Sequence, residues 1–222
     1  MKKRENRKSL VAVLMIFALT AILRTGAAFT VTAHAATLKE NSWTWSEDST
    51  IDKNLRIRDR VTVNADITLN IPKGLTLTVE SGIDAHDRTM TVEGEGRLDI
   101  ISTKDFGFFG NLVVNGADVS VSVKESENGV YGDLTVSGGS ATVTGGRGND
   151  GHDGGDGAPG GIGVIGNLTV SGDGSATVTG GSGGDGGRGG NGGNGVYGGG
   201  FRHHRHLRRR PRRAHPGFLG IL

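Results

Sequence analysis

The sequence predicts an all-β chain, a right-handed parallel β-helix, on three observations. A strand–turn–strand phrase recurs, apolar residues alternate with small polar ones, and equivalent residues return at a fixed step. The phrase is clearest at Gly129–Gly146, GVYGDLTVSGGSATVTGG, and returns at 163–181 as GVIGNLTVSGDGSATVTGG. A worn copy sits at 107–122, GFFGNLVVNGADVSVS, and a further start at 195–198, GVYG, breaks off before its strand. Such repeats imply stacked units rather than one globular core. Met90 to Leu112 and Leu112 to Leu134 are steps of 22 residues, and Leu134 to Leu168 is 34, the same step with 12 inserted. A fixed step lets each strand lie on its equivalent in the previous coil, pairing backbone groups in parallel while Leu and Val ladders fill a narrow interior. An antiparallel sandwich alternates too, but nothing in it requires a 22-residue period.

Residues 1–35 read as a secretory signal: Lys2, Lys3, Arg4, Arg7 and Lys8, then the apolar run Leu10–Leu23, then Ala33-His34-Ala35 as a small-x-small cleavage site. A retained anchor is the competing reading, but the run of 14 apolar residues is short against the roughly 20 needed to span a bilayer. No other stretch is long and apolar enough, so no membrane span remains after cleavage and the exported chain is expected outside the cell, secreted or on its surface. Residues 36–50 form a cap segment. Strand side chains alternate, so Trp43 and Trp45 are expected on one face, closing the open first coil or offering a platform on which a sugar stacks.

The solenoid is expected over 51–200. Its inward positions run Leu55/Ile57, Val61/Val63, Ile67/Leu69/Ile71, Leu75/Leu77/Val79, Met90/Val92 and Leu98/Ile100. They continue at Leu112/Val114, Val119/Val121/Val123, Leu134/Val136, Ala141/Val143, Leu168/Val170 and Ala176/Val178. Each run is short, β-branched and bounded by Gly, Asn or Asp, which is the strand signature, and no amphipathic helix is evident. The 222 residues include 41 glycines and only 5% aromatics, a composition unlike that of a conventional packed globule. The net charge of +2 divides into +5 over 1–35, −10 over 36–200 and +7 over 201–222. The acidic body is a poor polyanion binder, which argues against a specific nucleic-acid partner. With no cysteine, the exported chain has no disulfide framework.

Two glycine-rich inserts, 145–166 and 180–198, interrupt the strands. Glycine stands at every third position from Gly145 to Gly166 and from Gly180 to Gly198, the period of an extended polyproline-II-type helix. Pro159 is the only proline there, too few for collagen. Three-fold helices packed side by side on the solenoid and extruded flexible loops are both open. Gly145-Gly146-Arg147-Gly148-Asn149-Asp150 and Gly180-Gly181-Ser182-Gly183-Gly184-Asp185 resemble the first six positions of the calcium-binding nonapeptide repeat of secreted toxins. That resemblance makes Asp150, Asp153, Asp156 and Asp185 the candidate calcium ligands. The large apolar residue that the repeat carries next is replaced by His152 and Gly187. In a three-fold helix Asp150, Asp153 and Asp156 line one edge about 9 Å apart, too far for one ion with oxygens at about 2.3–2.6 Å. Calcium binding would need the toxin-like conformation or a second segment; a solvated acidic edge is the plainer reading.

From Phe201 the composition breaks. FRHHRHLRRRPRRAHPGFLGIL has no acid and no strand pattern. Taken functionally it is a polybasic arm for an anionic wall polymer, nucleic acid or membrane, with His203, His204 and His206 as metal ligands. The reading preferred is a shift of reading frame. Gly200–His206 can be encoded as GGA TTT CGT CAC CAT CGG CAC, and that string read one base later gives Asp-Phe-Val-Thr-Ile-Gly, a fair copy of Asp133–Gly138.

The succession LTLTVESG, MTVEGEGRLDI, GNLVVNG, GDLTVSGGSATVTGG resembles the repeat-rich, secreted or surface-attached β-helix proteins of bacteria often called adhesin-like, over roughly 51–198. The resemblance implies an extracellular stalk or interaction protein without catalytic activity, whose partner is an extracellular polysaccharide or a host or cell-surface component. No carboxy-terminal anchor motif is visible. Parallel β-helices also host polysaccharide lyases and hydrolases, and the densest polar cluster, Asp84-Ala85-His86-Asp87-Arg88, is expected in a loop before the Met90–Val92 strand. It holds acid, base and cation types. The residues are contiguous, whereas solenoid sites gather side chains across neighbouring coils, so a solvated turn is the better reading. The sequon Asn167-Leu168-Thr169 matters only in a eukaryotic secretory pathway. Amino-terminal sequencing of the exported protein is expected to begin at Ala36; a first residue upstream of Leu23 would mean a retained anchor.

Overall fold

A computed structural model describes residues 36–40, 43–103, 105–188 and 191–193. The signal segment, the 195–198 repeat start and the basic tail lie outside them. All regular structure among the described residues is β. The strands are β1 (Ala36–Thr37), β2 (Thr44–Trp45), β3 (Ser49–Thr50), β4 (Leu55–Ile57), β5 (Val61–Val63), β6 (Ile67–Ile71), β7 (Thr76–Val79) and β8 (Ile83–Gly94). They continue as β9 (Arg97–Ser102), β10 (Phe108–Val123), β11 (Val130–Tyr131), β12 (Leu134–Thr144), β13 (Val164–Ile165), β14 (Leu168–Val170) and β15 (Ser175–Thr179).

Every pairing is parallel, and the pairs fall into three columns, as expected of a solenoid of about five coils. The first stacks β2, β5, the start of β8, the start of β10, β11 and β13. The second stacks β1, β3, β6, the end of β8, the middle of β10, the start of β12 and β14. The third stacks β4, β7, β9, the end of β10, the end of β12 and β15. The long strands β8, β10 and β12 turn corners between columns, and their registers shift there.

The step read from the sequence sets the register: Met90 lies beside Leu112, Leu112 beside Leu134, and Leu134 beside Leu168. Like therefore covers like inside. Leu77, Leu98, Leu112, Leu134, Val79, Ile100 and Val143 are completely buried, each contributing about 1.5–3 kcal/mol of apolar transfer. Val170, Ala176 and Val178 also point inward but are only partly buried. Among the described residues, β14 and β15 have a neighbour on one side only, so the last ladder is covered from one direction. Trp45 is buried at 2% exposure, but Trp43 is 53% exposed. The two tryptophans therefore do not share one face, contrary to the expectation from alternation. Trp43 precedes the two-residue strand β2, so strand alternation does not dictate its direction.

The corners are closed by side-chain oxygens that accept a backbone N–H from the following coil. Asp48 accepts from Thr68, Asp66 from Thr89, Asn111 from Asp133, and Asp133 from Asn167. Asn54 and Asn128 do the same for Thr76 and Ile162. Glycine is demanded where coils approach most closely. Gly132 has φ +139°, and a Cβ on it would lie inside the carbonyl of Gly110 in the coil before.

The inserts are packed, which decides between the two readings of the glycine period. After β12 the chain runs out, turns at Asp153-Gly154 and returns, with Ala158 donating to the Asn149 carbonyl (2.8 Å) and Gly161 to that of Gly146 (2.7 Å). The segment after β15 lies against both limbs. Gly148, Gly151, Gly154 and Gly157 donate to carbonyls of Ser182, Asp185, Arg188 and Asn191, while Gly181, Gly184 and Gly187 donate to Gly161, Ala158 and Gly155. The bonds recur every third residue and run between segments, as three-fold extended chains require. A Cβ at Gly148, Gly161 or Gly184 would overlap a neighbouring carbonyl.

Gly132→Ala is expected to lower the urea midpoint far more than Gly74→Ala. Both residues have positive φ, costing about 1–3 kcal/mol for a non-glycine, but Gly74 has open space where its Cβ would go. Equal losses would show that backbone conformation, not close stacking, requires the glycine.

Candidate functional site

The outward face is where chemistry with a partner must occur, because the interior is filled by apolar ladders. In the third column Ser120, Thr142 and Thr177 stand in one row, and Ser122, Thr144 and Thr179 in another. Thr135 and Thr169 form a shorter row in the second column. All are exposed or half-exposed. Threonine suits a pleated surface and packs against its cross-strand equal, so these rows stabilise the sheet while presenting hydroxyls. Towards the amino end the rows become charged: Arg56 pairs with Glu80, and Arg97 with Asp99 at 2.7 Å.

The Asp84–Arg88 segment is not a loop. It lies inside β8, at the corner between the first and second columns, with Ala85 buried and His86 in the left-handed region at φ 50°. Local hydrogen bonding explains the turn: Asp84 Oδ1 accepts the His86 backbone N–H at 3.2 Å and lies 2.7 Å from its Nδ1. The carboxylate can only accept, so Nδ1 carries the proton of that bond and Nε2 faces the other way. The side chain of His86 is 73% exposed and that of Asp84 19%. Asp87 and Arg88 pair at 3.8 Å on the exposed rim. The segment therefore brings an oriented imidazole together with one carboxylate.

The four insert aspartates are placed by the glycine packing. Asp150 Oδ1 accepts the Asp185 backbone N–H at 2.8 Å, and Arg147 bridges Asp150 (2.8 Å) and Asp185 (2.9 Å). Asp156 Oδ1 accepts the Asn191 N–H at 2.7 Å. Asp153 is exposed at the hairpin turn. Asp150 and Asp156 thus act as amide acceptors of the kind seen at the solenoid corners, and among the described residues no three His, Asp or Glu groups gather as a metal's ligand set. The Asp185 amide, and secondly Arg147, hold the Asp150 carboxyl below the usual carboxylate range; Arg147 is raised by the same pairing.

A second polar surface lies at the amino end. The exposed Trp43 borders a groove of about 390 Å³ with Glu40, Arg56, Arg58 and Asp59. Its alternation with Trp45 marked the pair in the sequence, but the neighbouring arginines come from β4 and the turn after it. Folding alone brings them there.

No family model, no curated protein and no solved structure matches this chain. Among the described residues no helix is long and apolar enough to cross a membrane.

Because the folded carboxyl of Asp150 titrates below its unfolded value, the stability it contributes is present above the unfolded pKa, about 3.9. It is lost as pH falls through the folded value. Asp150→Asn keeps an oxygen for the Asp185 amide but no charge. The melting-temperature gap between wild type and this variant is expected to be open at pH 6 and to close below about pH 4. A gap independent of pH would rule out the charge as the cause.

Proposed function

We propose that the chain is an exported bacterial surface protein of adhesin-like type, structural rather than catalytic, whose flat solenoid faces contact extracellular material. The registered hydroxyl rows carry this reading. Ser120–Thr142–Thr177 and Ser122–Thr144–Thr179 repeat one polar group per coil over a sheet that is regular in both directions. A surface of that kind makes many equal, weak contacts, which suits adhesion to a repeating polymer. The basic amino end and apolar run before Ala35 support export. The partner class this reading favours is an extracellular polysaccharide or a cell-surface component.

A second reading, a carbohydrate-active enzyme, has one observation in its favour. Asp84 orients His86 through Nδ1, and His86 has a backbone conformation uncommon for a non-glycine residue. Against it, the pair sits on an exposed corner, where water competes for every proton transfer.

Expressed in a bacterial host, the full chain is expected on the outside of intact cells, where added protease removes it, and to raise cell adhesion to polysaccharide-coated surfaces. Protection from protease would sink the surface reading. Turnover of an acidic polysaccharide that disappears in His86→Ala would replace it with the enzyme.

A further inference from the structure

The corner phrase of the repeat holds a second pattern. In GFFG, GVYG and GVIG the first middle residue points inward: Phe108, Val130 and Val164 are buried. The second points outward in register, so Phe109, Tyr131 and Ile165 form a row on the solenoid's outer face, with Asp84 beneath Phe109. Phe109 and Tyr131 put aromatic rings where most other outward positions carry hydroxyl or charged groups, and Ile165 continues the row as an aliphatic residue. Phe109 meets Tyr131 edge to face at 5.2 Å, His86 at 5.0 Å and Phe106 at 5.1 Å. The guanidinium of Arg60 lies 4.8 Å over Phe106. Tyr131 is 47% exposed. An aromatic ridge thus spans the coils of Phe109 and Tyr131, with the His86 ring against it from the coil before.

Its polar groups are compensated in place. Arg60 pairs with Asp105 at 2.6 Å and His86 with Asp84 at 2.7 Å. The ridge offers a ligand ring faces and edges, the Tyr131 hydroxyl and the outer imidazole nitrogen, and its guanidinium, Arg60, is already paired. Cross-strand packing alone would be met by the valines and threonines used elsewhere. Aromatic rings left at the surface with polar tips mark a place where an apolar face with a wet rim is received.

We propose that this ridge binds an extended, uncharged β-linked polysaccharide lying along the solenoid axis. The C–H face of one pyranose ring rests on Tyr131, the exposed ring that stands edge-on to Phe109, and its hydroxyl rim meets the Tyr131 hydroxyl and His86. This deepens the reading of the chain as a surface protein that contacts polysaccharide.

The test is affinity electrophoresis of the exported full chain in native gels containing hydroxyethylcellulose, galactomannan or arabinoxylan, with polygalacturonate as the charged comparison. At least one neutral polymer is expected to retard the protein. Tyr131→Ala is expected to weaken that retardation about tenfold, while Tyr131→Phe keeps most of it. Tyr131 is half-exposed, so its truncation leaves the coil intact, and an unchanged melting temperature verifies this. No retardation by any neutral polymer, retardation by polygalacturonate alone, or full retardation of Tyr131→Ala would overturn the proposal. Display on intact cells does not use the ridge, so it can succeed while the ridge fails, and the two ideas fall separately.

Discussion

Parallel register between coils is the constraint on which everything else in the molecule depends. A coil that holds its length places Leu112 on Met90 and Leu134 on Leu112, and the same act that pairs the backbones closes the core. A slip of one residue would turn each ladder to the outside. The interior is one side chain deep, so no second layer exists to absorb the error. Insertions are tolerated only at corners, where the 12 extra residues before β13 leave the chain in time for Leu168 to land on Leu134.

The two packing modes obey one rule at different periods. In the solenoid, alternate residues face inward and side chains make the contact. In the inserts, every third residue faces a neighbour and the contact is the backbone itself. Glycine loses more conformational freedom on folding than any other residue, so a glycine-rich segment orders only if its neighbours accept its amides. The outgoing limb, the returning limb and the segment after β15 supply those acceptors to one another. Asp150 and Asp156 extend the network with side-chain oxygens.

Much of this was legible in the sequence because period and spacing are one-dimensional. Alternation marked the inward residues from Leu55 to Val143, and the step marked which of them would stack. The glycine period marked three-fold segments, but their partners lie as much as 38 residues apart, beyond any local pattern. Trp43 faces away from Trp45's side because a two-residue strand is too short for alternation to govern its flank. Sequence alone puts His86 in a loop, because the aspartate that sustains its unusual backbone is indistinguishable there from any other polar residue. The aromatic row was present in GFFG and GVYG, and applying the alternation rule inside the corner, rather than only along the strands, would have separated Phe108 from Phe109.

The corner acceptors share one orientation. Asp48, Asp66, Asn111 and Asp133 all belong to the earlier coil and receive an amide from the later one. The carboxy-terminal side of each folded turn therefore carries lone pairs already in position for the turn that follows. Assembly then works like a ratchet whose teeth point one way: a newly made turn finds its seat prepared, while an isolated later turn has no such oxygens on the side it must join.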